Sequence, residues 1–424
     1  MVILFHGAIV HQRQRPGYSA KGTHMIRMAT VEQALDLIAG QAHERALGRE
    51  TVLLAAAEGR RLAEPVIARV SQPPADVSAM DGYAVRHADM KLGATLKVIG
   101  ESRAGTPFSG SLKPGEAVRI FTGAHIPENA DHVLIQEDTK REGDHVTVTF
   151  EQPKPENIRR AGLDFLQGAT LVPAGFVVNE GVISLAAAGN VARVVVSKTP
   201  RIGVLANGDE LAAPGSDLAA GQIVNSIQPA LLALIRRWGA IPLDLGLSRD
   251  TEEDVRKRIA APCDVIVSIG GASVGDYDVV RSAFAAEGFT PVFEKVAVKP
   301  GKPTWFSANA STLALGLPGN PAAAMVTAQL FLRPLIESLT SSPASAASVQ
   351  RAHTTTALPK AGNRAEYLRA MLTVGADGRA TVQAAENQDS SLLSPFLTAN
   401  ALIRRPANAA AVAAGDLVDI LMLG

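Results

Sequence analysis

Residues 265–278, VIVSIGGASVGDYD, set the architecture of the middle of the chain. Val265 to Ile269 is a short, mostly β-branched run that reads as a strand; Gly270 and Gly271 break it, and Gly275 with the acidic pair Asp276 and Asp278 leads into a helical stretch. Working outward, strand-like and helix-like runs alternate: RIGVLANG, QPALLALIRRWG, PLDLGLSRD and EEDVRKRIAA come before it, DVVRSAFAAEG and PVFEKVAVKPG after it. Such alternation predicts a parallel sheet with crossover helices. In open sheets of that kind ligands bind beyond the carboxyl ends of the strands, where NGDEL, GGASVGDYD and KPGKP all fall.

Three glycine-bearing turns follow apolar runs between Val265 and Ala324, and their chemistry points to one anion site. In the first, Gly270, Gly271 and Gly275 let backbone N–H groups approach a phosphate closely, and Ser273 adds a hydroxyl donor. The second, Lys299-Pro300-Gly301-Lys302-Pro303, projects two ammonium groups from a stiff loop, with Lys295 upstream on the same expected strand face as Lys299. The third, Leu317-Pro318-Gly319-Asn320-Pro321, opens an apolar helix whose N-terminal amides would face the bound group. Any one such turn is ordinary punctuation between strand and helix; three together, with lysines and aspartates interleaved, favour ligand binding.

The composition narrows the partners. At 424 residues two to four domains are expected. Lys+Arg 41 balances Asp+Glu 41, so no global field draws the chain to nucleic acid or an anionic membrane, and anion binding must be local. A single cysteine, Cys263, excludes an internal disulfide framework and a cysteine-based zinc cluster, and fits a reducing cytoplasm. No apolar stretch reaches transmembrane length, and the basic residues of the first segment follow its apolar patch, the wrong order for a secretory signal. Residues 1–27 read as a disordered extension, with Met25 and Met28 as alternative starts.

Thr30 and Gln33 form a capping-box pattern ahead of VEQALDLIAGQAHERAL, a helix running to about Leu47. Short alternating runs from Leu96 to Phe150 predict an antiparallel β domain, drawn as a compact barrel. GVISLAAAGNVARVVVSKTPRIGVL passes from helix to two strands, with a domain join near residues 198–201. Residues 340–348 read as a linker, and AEYLRAMLTV, ATVQAA, ALIRRP and DLVDILML as a small C-terminal β domain.

The motifs SAMDGYAV (Ser78–Val85), IFTGAHIPENADHVLIQED (Ile120–Asp138), NIRRAGLD (Asn157–Asp164), NGDEL, GGASVGDYD, KPGKP and GLPGNP stand in one order along the chain. In that set and order the chain resembles the molybdopterin molybdenumtransferases, bacterial enzymes related to the E domain of gephyrin, from about Thr30 to the C-terminus. The resemblance implies an α/β and β multidomain fold whose central domain is similar to the molybdopterin adenylyltransferase fold. Its parts would be an N-terminal helix over 28–48, a mixed linking domain over 49–68 and 169–198, a β-rich barrel-like domain over 69–168, an α/β substrate domain over 199–345 and a β domain over 346–424. It further implies insertion of molybdate into adenylylated molybdopterin with release of AMP, a divalent cation such as Mg²⁺, and a cytoplasmic homodimer that meets molybdopterin adenylyltransferase and other proteins of the pathway, with no nucleic acid and no membrane.

Residue roles follow from the motif matches. Glu210 and Asp278 would hold Mg²⁺ at two strand ends, the alternative for Glu210 being an acidic first helical turn. Asp250 matches an aspartate near the same site, or caps a helix. Lys295, Lys299 and Lys302 would face phosphate or molybdate, or else be ordinary solvated lysines. Gly270, Gly271, Ser273 and Gly275 would donate to phosphate, Asn225 and Ser226 contact pterin or nucleotide, and Pro318, Gly319, Asn320 and Pro321 form a rigid wall. Asp81 and Thr122 would reach a partner's site, although Met-Asp-Gly is also a natural turn in which the aspartate bonds its own backbone. Asp164 would fix geometry by pairing with Arg159 or Arg160, and Arg369 and Ser390 would handle molybdate. Leu163, Asn207, Ile227 and Ala272 depart from the usual pattern, and Ile227 removes a polar contact. The alternative functions are a molybdopterin adenylyltransferase, a nucleotide-pyrophosphate hydrolase or a non-catalytic scaffold, and tungstate in place of molybdate stays open.

Overall fold

The computed structural model describes residues 25–271, 279–340 and 349–423. Ser273, Gly275, Asp276 and Asp278, most of the expected N-terminal extension and most of the expected linker therefore lie outside the described residues. The chain divides into two compact units, one of Met1–Arg45, Pro200–Ile336 and Ala344–Gly424, the other of Ala46–Thr199 and Glu337–Pro343.

The second unit holds two small cores. In one, the strand Arg49–Leu53 pairs antiparallel with Arg193–Ser197, and Val66–Ile67 pairs with Thr170–Val172. The helix Glu180–Ala188, capped by Asn179 through its side chain, lies with them, and Leu62, Val66, Val182, Ala186 and Val196 are buried among these elements. The other core belongs to a six-stranded sheet in the order His132–Ile135, Gly82–Val85, Glu116–Ile120, Thr95–Ser102, His145–Val148, Thr139–Glu142. Residues alternate between two buried faces: Tyr83, Val85 and Leu134 on one, Ala84, Val118 and Val133 on the other. One pair departs from the antiparallel expectation, because Thr95–Ser102 runs parallel to Glu116–Ile120.

In the first unit the capping box forms as the sequence predicts, with Thr30 Oγ1 accepting from Gln33 N–H and Gln33 Oε1 accepting from Thr30 N–H. The helix it starts, Val31–Glu44, ends a turn earlier than expected and buries Val31, Ala34, Ile38 and Ala42. The α/β sheet has the order Ile241–Ser248, Arg201–Asn207, Val265–Ile269, Leu313–Leu317, Trp305–Ala308, Thr290–Phe293. Its first four strands are parallel, and the last two are added antiparallel, a mixed sheet where an all-parallel one was expected. From Arg201–Asn207 the chain crosses to Ile241–Ser248 on one side and then returns to Val265–Ile269 on the other. The crevice at such a reversal is where open α/β sheets take ligands.

The C-terminal strands Gln350–Thr354, Ala365–Val374, Ala380–Ala384, Ala401–Arg405 and Leu417–Met422 close into a barrel, since Ala365–Val374 pairs with both Ala380–Ala384 and Ala401–Arg405. Val382, Ala401, Ile403 and Ile420 fill it. The first of these strands had no counterpart in the sequence reading. Val298–Lys299 leaves the α/β sheet and pairs parallel with the barrel strand Ala365–Val374.

Candidate functional site

The three turns converge. An ideal Cβ on Gly270 would stand 2.8 Å from Asn207 O, one on Gly319 3.6 Å from Gly270 Cα, and one on Gly301 2.2 Å from Thr327 Cγ2 in the helix that GLPGNP opens. Gly270 and Gly271 also have φ of 81° and 66°, so side chains are barred there by conformation as well as by space. The turns edge a cleft of about 690 Å³ whose walls differ in chemistry. Gly270, Gly271, Pro318, Gly319, Asn320 and Pro321 give a backbone-rich wall; Leu211, Ile223, Val224 and Ile227 give an apolar one; Glu210 is the charged side chain among the described lining residues. Backbone donors suit phosphate, and the apolar wall suits a flat heterocycle.

Asn207 sits at the sheet reversal and is 4% exposed. Its amide nitrogen donates to Ser268 Oγ at 2.7 Å and to Ile269 O at 3.1 Å, while its oxygen accepts from Ser248 Oγ at 2.7 Å. Its side chain thus ties three strand ends together instead of offering a donor to a ligand. Glu210 stands before the short strand Leu211–Ala212, which pairs with Ile223–Val224, so the helix-turn alternative does not apply. Its carboxylate lies over Gly208, within 2.7 Å of where a Cβ would be. Asp250 is not the helix cap, a role held by Thr251, whose side chain accepts from Asp254 N–H. It faces Asp209 instead, the two exchanging weak amide-to-carboxylate contacts of 3.3 and 3.5 Å.

Asn225 and Ser226 both line the cleft. Asn225 is buried, and its side chain donates to Gln228 Oε1 at 2.7 Å. Gln228 in turn donates to Val204 O, Asp244 Oδ1 and Gly246 O, locking the helix Ile227–Arg237 to two strands. Ile227 is a buried apolar residue on the cleft wall.

The cationic side is arranged differently from the sequence expectation. Pro303 lines the cleft, whereas Lys295, Lys299 and Lys302 are not among its described lining residues. Lys295 lies outside any strand; its carbonyl accepts from Ala29 N–H, so the two lysines do not share a strand face. Lys302 is exposed, and Lys299 Nζ lies 3.4 Å from Glu366 Oε1 on the barrel strand.

Arg369, expected to present its fork to an oxyanion, is 1% exposed and spends that fork on the protein. Its guanidinium donates to Leu392 O, Asn387 O, Asp389 O and Gln388 Oε1, and lies 5.7 Å from the Phe396 ring. Burial lowers its pKa from the ordinary arginine value against the opposing pull of Asp389. The turn it holds is docked on the GLPGNP helix by Ser390, whose Oγ accepts from Asn320 Nδ2 at 3.0 Å and whose carbonyl accepts from Ala322 N–H at 2.9 Å. Ser390 is therefore a clasp, and the neighbouring Ser391 lines the cleft. Sequence reasoning missed Ser391 and the apolar Leu211, Ile223 and Val224. The adjacent pair Ile223 and Val224 in a glycine-flanked turn, 56% and 41% exposed, was the available signal.

In the second unit Asp81 and Thr122 are brought together. Asp81 Oδ1 accepts from both Thr122 N–H and Thr122 Oγ1–H at 2.8 Å, not from its own turn. These bonds, the backbone one foremost, hold the Asp81 carboxyl below the usual aspartate range. Asp164 is exposed, and the ion pair expected of it is made elsewhere: Arg160 Nη1 meets Asp76 Oδ2 at 2.5 Å.

Comparison with known proteins bears on the family and the fold. Residues 29–189 match the MoeA N-terminal region (domain I and II), 203–338 the probable molybdopterin binding domain, and 351–423 the MoeA C-terminal region (domain IV). The chain is 36% identical over 381 residues to the molybdopterin molybdenumtransferase of Haemophilus influenzae, covering 88% of this chain and 93% of that one. It is 40% identical over 303 residues to the enzyme of that name from a Nostoc species, covering 68% and 69%. A solved molybdopterin biosynthesis MoeA protein from Pyrococcus horikoshii superposes with a TM-score of 0.79 at 26% identity, over 93% of this chain and 99% of that one. By these matches and this fold, the chain belongs to the MoeA family of molybdopterin molybdenumtransferases.

Proposed function

We propose that the chain inserts molybdate into adenylylated molybdopterin, releasing AMP and the finished molybdenum cofactor. The observation that carries this reading is the cleft of about 690 Å³ at the sheet reversal, with glycine-rich turns on one wall, apolar side chains on another and Glu210 between them. Backbone amides of the glycine turns cradle the pyrophosphate, Ile223, Val224 and Ile227 receive the flat pterin or adenine, and Ser391 supplies a hydroxyl at the barrel edge. Lys299 and Lys302, outside the cleft lining, are offered to the molybdate dianion at its rim. Asp278, Ser273 and Gly275 complete the phosphate side.

Among the described residues no group of three or more His, Cys, Asp or Glu is placed to hold a metal ion. Mg²⁺ takes one or two carboxylates and fills its shell with phosphate oxygens and water; Glu210, an exposed carboxylate lining the cleft, suits one such place, and Asp278, outside the described residues, is the proposed second ligand. An ion held there would supply positive charge against the phosphoanhydride oxygens. The backbone amides of the neighbouring glycine turns orient the phosphates and the turns limit access of water.

The proposal extends to a cytoplasmic homodimer in which Asp81 and Thr122 of one protomer serve the partner's cleft, and to transient contact with the adenylyltransferase that makes the substrate. No described helix is long and apolar enough to cross a membrane. The test is purified protein with adenylylated molybdopterin and molybdate. AMP release with molybdenum retained on the pterin is expected; AMP release without retention would indicate a hydrolase.

A further inference from the structure

Asp81 is an exposed carboxylate with Oδ1 committed to Thr122, so its action on a ligand depends on how firmly Oδ2 is aimed. The backbone on either side of it is fixed. Asp81 O accepts from Gln136 N–H at 3.1 Å, and Gly82 O accepts from Arg119 Nη1 at 3.0 Å. Gly82 permits the close approach of the Leu134 carbonyl, which would lie 2.0 Å from any Cβ there.

Arg119 joins all of these parts. It stands on the strand Glu116–Ile120, directly opposite Tyr83, and its second nitrogen donates to Gln136 Oε1 at 2.9 Å. The same Gln136 holds Asp81 O through its backbone. The guanidinium lies 4.8 Å from the Phe121 ring and 5.2 Å from the Tyr83 ring, stacked where its fork cannot swing away. Phe121 precedes Thr122, so the stack also fixes the residue that binds Oδ1. The other charged groups on adjoining elements are engaged or distant: Glu101 and Arg103 pair with each other, Glu116 accepts from Lys113 N–H, His132 lies at the far end of its strand beside Val85, and Glu137 and Asp138 belong to the turn after Ile135.

We infer that Arg119 is the positioning residue of the Asp81 carboxylate, holding the Asp81 and Thr122 backbones in register. This rests on the reading that Asp81 acts in the transfer reaction. Removing Arg119 releases Gly82 O and Gln136 Oε1 together.

The test compares Arg119→Gln, Arg119→Lys, Arg103→Gln and Asp81→Asn in the full-length protein, by kcat and KM for molybdate insertion and by the urea midpoint. In Arg119→Gln kcat should fall about 10-fold with KM little changed, a loss larger than any change in the midpoint accounts for. Arg119→Lys, which can donate to one of the two oxygens but not to both, should recover part of kcat. Arg103→Gln, which loses the pair with Glu101 and the contact with the Phe121 ring but no bond to Gly82 or Gln136, should leave kcat and KM unchanged. An Arg119→Gln protein with the wild-type kcat, or one merely less stable, overturns the inference while Asp81→Asn remains inactive. Wild-type activity in Asp81→Asn removes the underlying role of Asp81, and the inference with it.

Discussion

Asn207 shows most directly how one side chain organises the cleft. Its three bonds in a dry setting hold the ends of three parallel strands, so Asn207→Ala strands Ser248 Oγ, Ser268 Oγ and a carbonyl at once. Unfolding in urea should show a loss of about 2–4 kcal/mol, the cost of leaving buried polar groups unpaired. Glu210 is the opposite case: it is exposed and has room to be changed. Glu210→Gln should leave the urea midpoint unchanged and lower turnover by about 100-fold, measured as AMP release. These two residues are three apart in NGDEL, and the sequence could identify both as special without separating a structural role from a ligand role. Burial separates them, and burial depends on which strands flank Arg201–Asn207, information held in residues 40 to 60 positions further along.

Among the elements, the turn Asn387–Leu392 makes a few short-range bonds of its own, Leu392 N–H to Asp389 O and Ser391 N–H to Asp389 Oδ1 among them, and is held further by Arg369. Arg369→Ala removes four bonds to it and leaves a cavity under Phe396. The expected result is a stability loss of about 3 kcal/mol together with a higher KM, because Ser391 is carried on that turn. Ser391→Ala should raise KM without the stability loss, a separation that melting curves and steady-state kinetics read independently.

The segment ahead of Ile158–Arg159 offers an acid-sensitive element. His132 Nδ1 accepts from Glu156 N–H, and burial, with His87 5.6 Å away, lowers the His132 pKa from 6.5 to about 4. The unfolded chain takes up this proton near 6.5 and the folded chain only near 4, so the stability it contributes is present above 6.5 and is lost as pH falls towards 4. The urea midpoint should drop across that window in the wild type, and the drop should shrink in His132→Gln. Periodicity alone had placed the strand His132–Ile135 correctly, but the imidazole–amide bond across 24 positions left no trace in it.

At the scale of the molecule, alternation and turn chemistry made the α/β sheet, the β-rich sheet and the small terminal β domain legible, because local periodicity records which face of each element is buried. What escaped was pairing. The sequence does not record that two antiparallel strands extend the parallel sheet, that Thr95–Ser102 runs alongside Glu116–Ile120 in the same direction, or that five terminal strands close on themselves. The proposed homodimer is tested at this scale: light scattering on the eluted protein should give twice the 44.3 kDa chain mass. Mixing Asp81→Asn with Glu210→Gln protein should then restore part of the activity, since one of the two mixed sites retains both wild-type groups.

The strand Val298–Lys299 ends in the turn that packs on the GLPGNP helix, yet its backbone is paired to a barrel strand and its lysine to Glu366. The proposed cationic lip, Lys299, is therefore mounted on the barrel while the proposed phosphate-facing lip is mounted on the α/β sheet. The gap between the lips is set by the seating of the barrel, as the opening of a vice is set by its carriage. Substitutions on that seating, remote from any ligand, should surface first as altered discrimination between oxyanions of slightly different size.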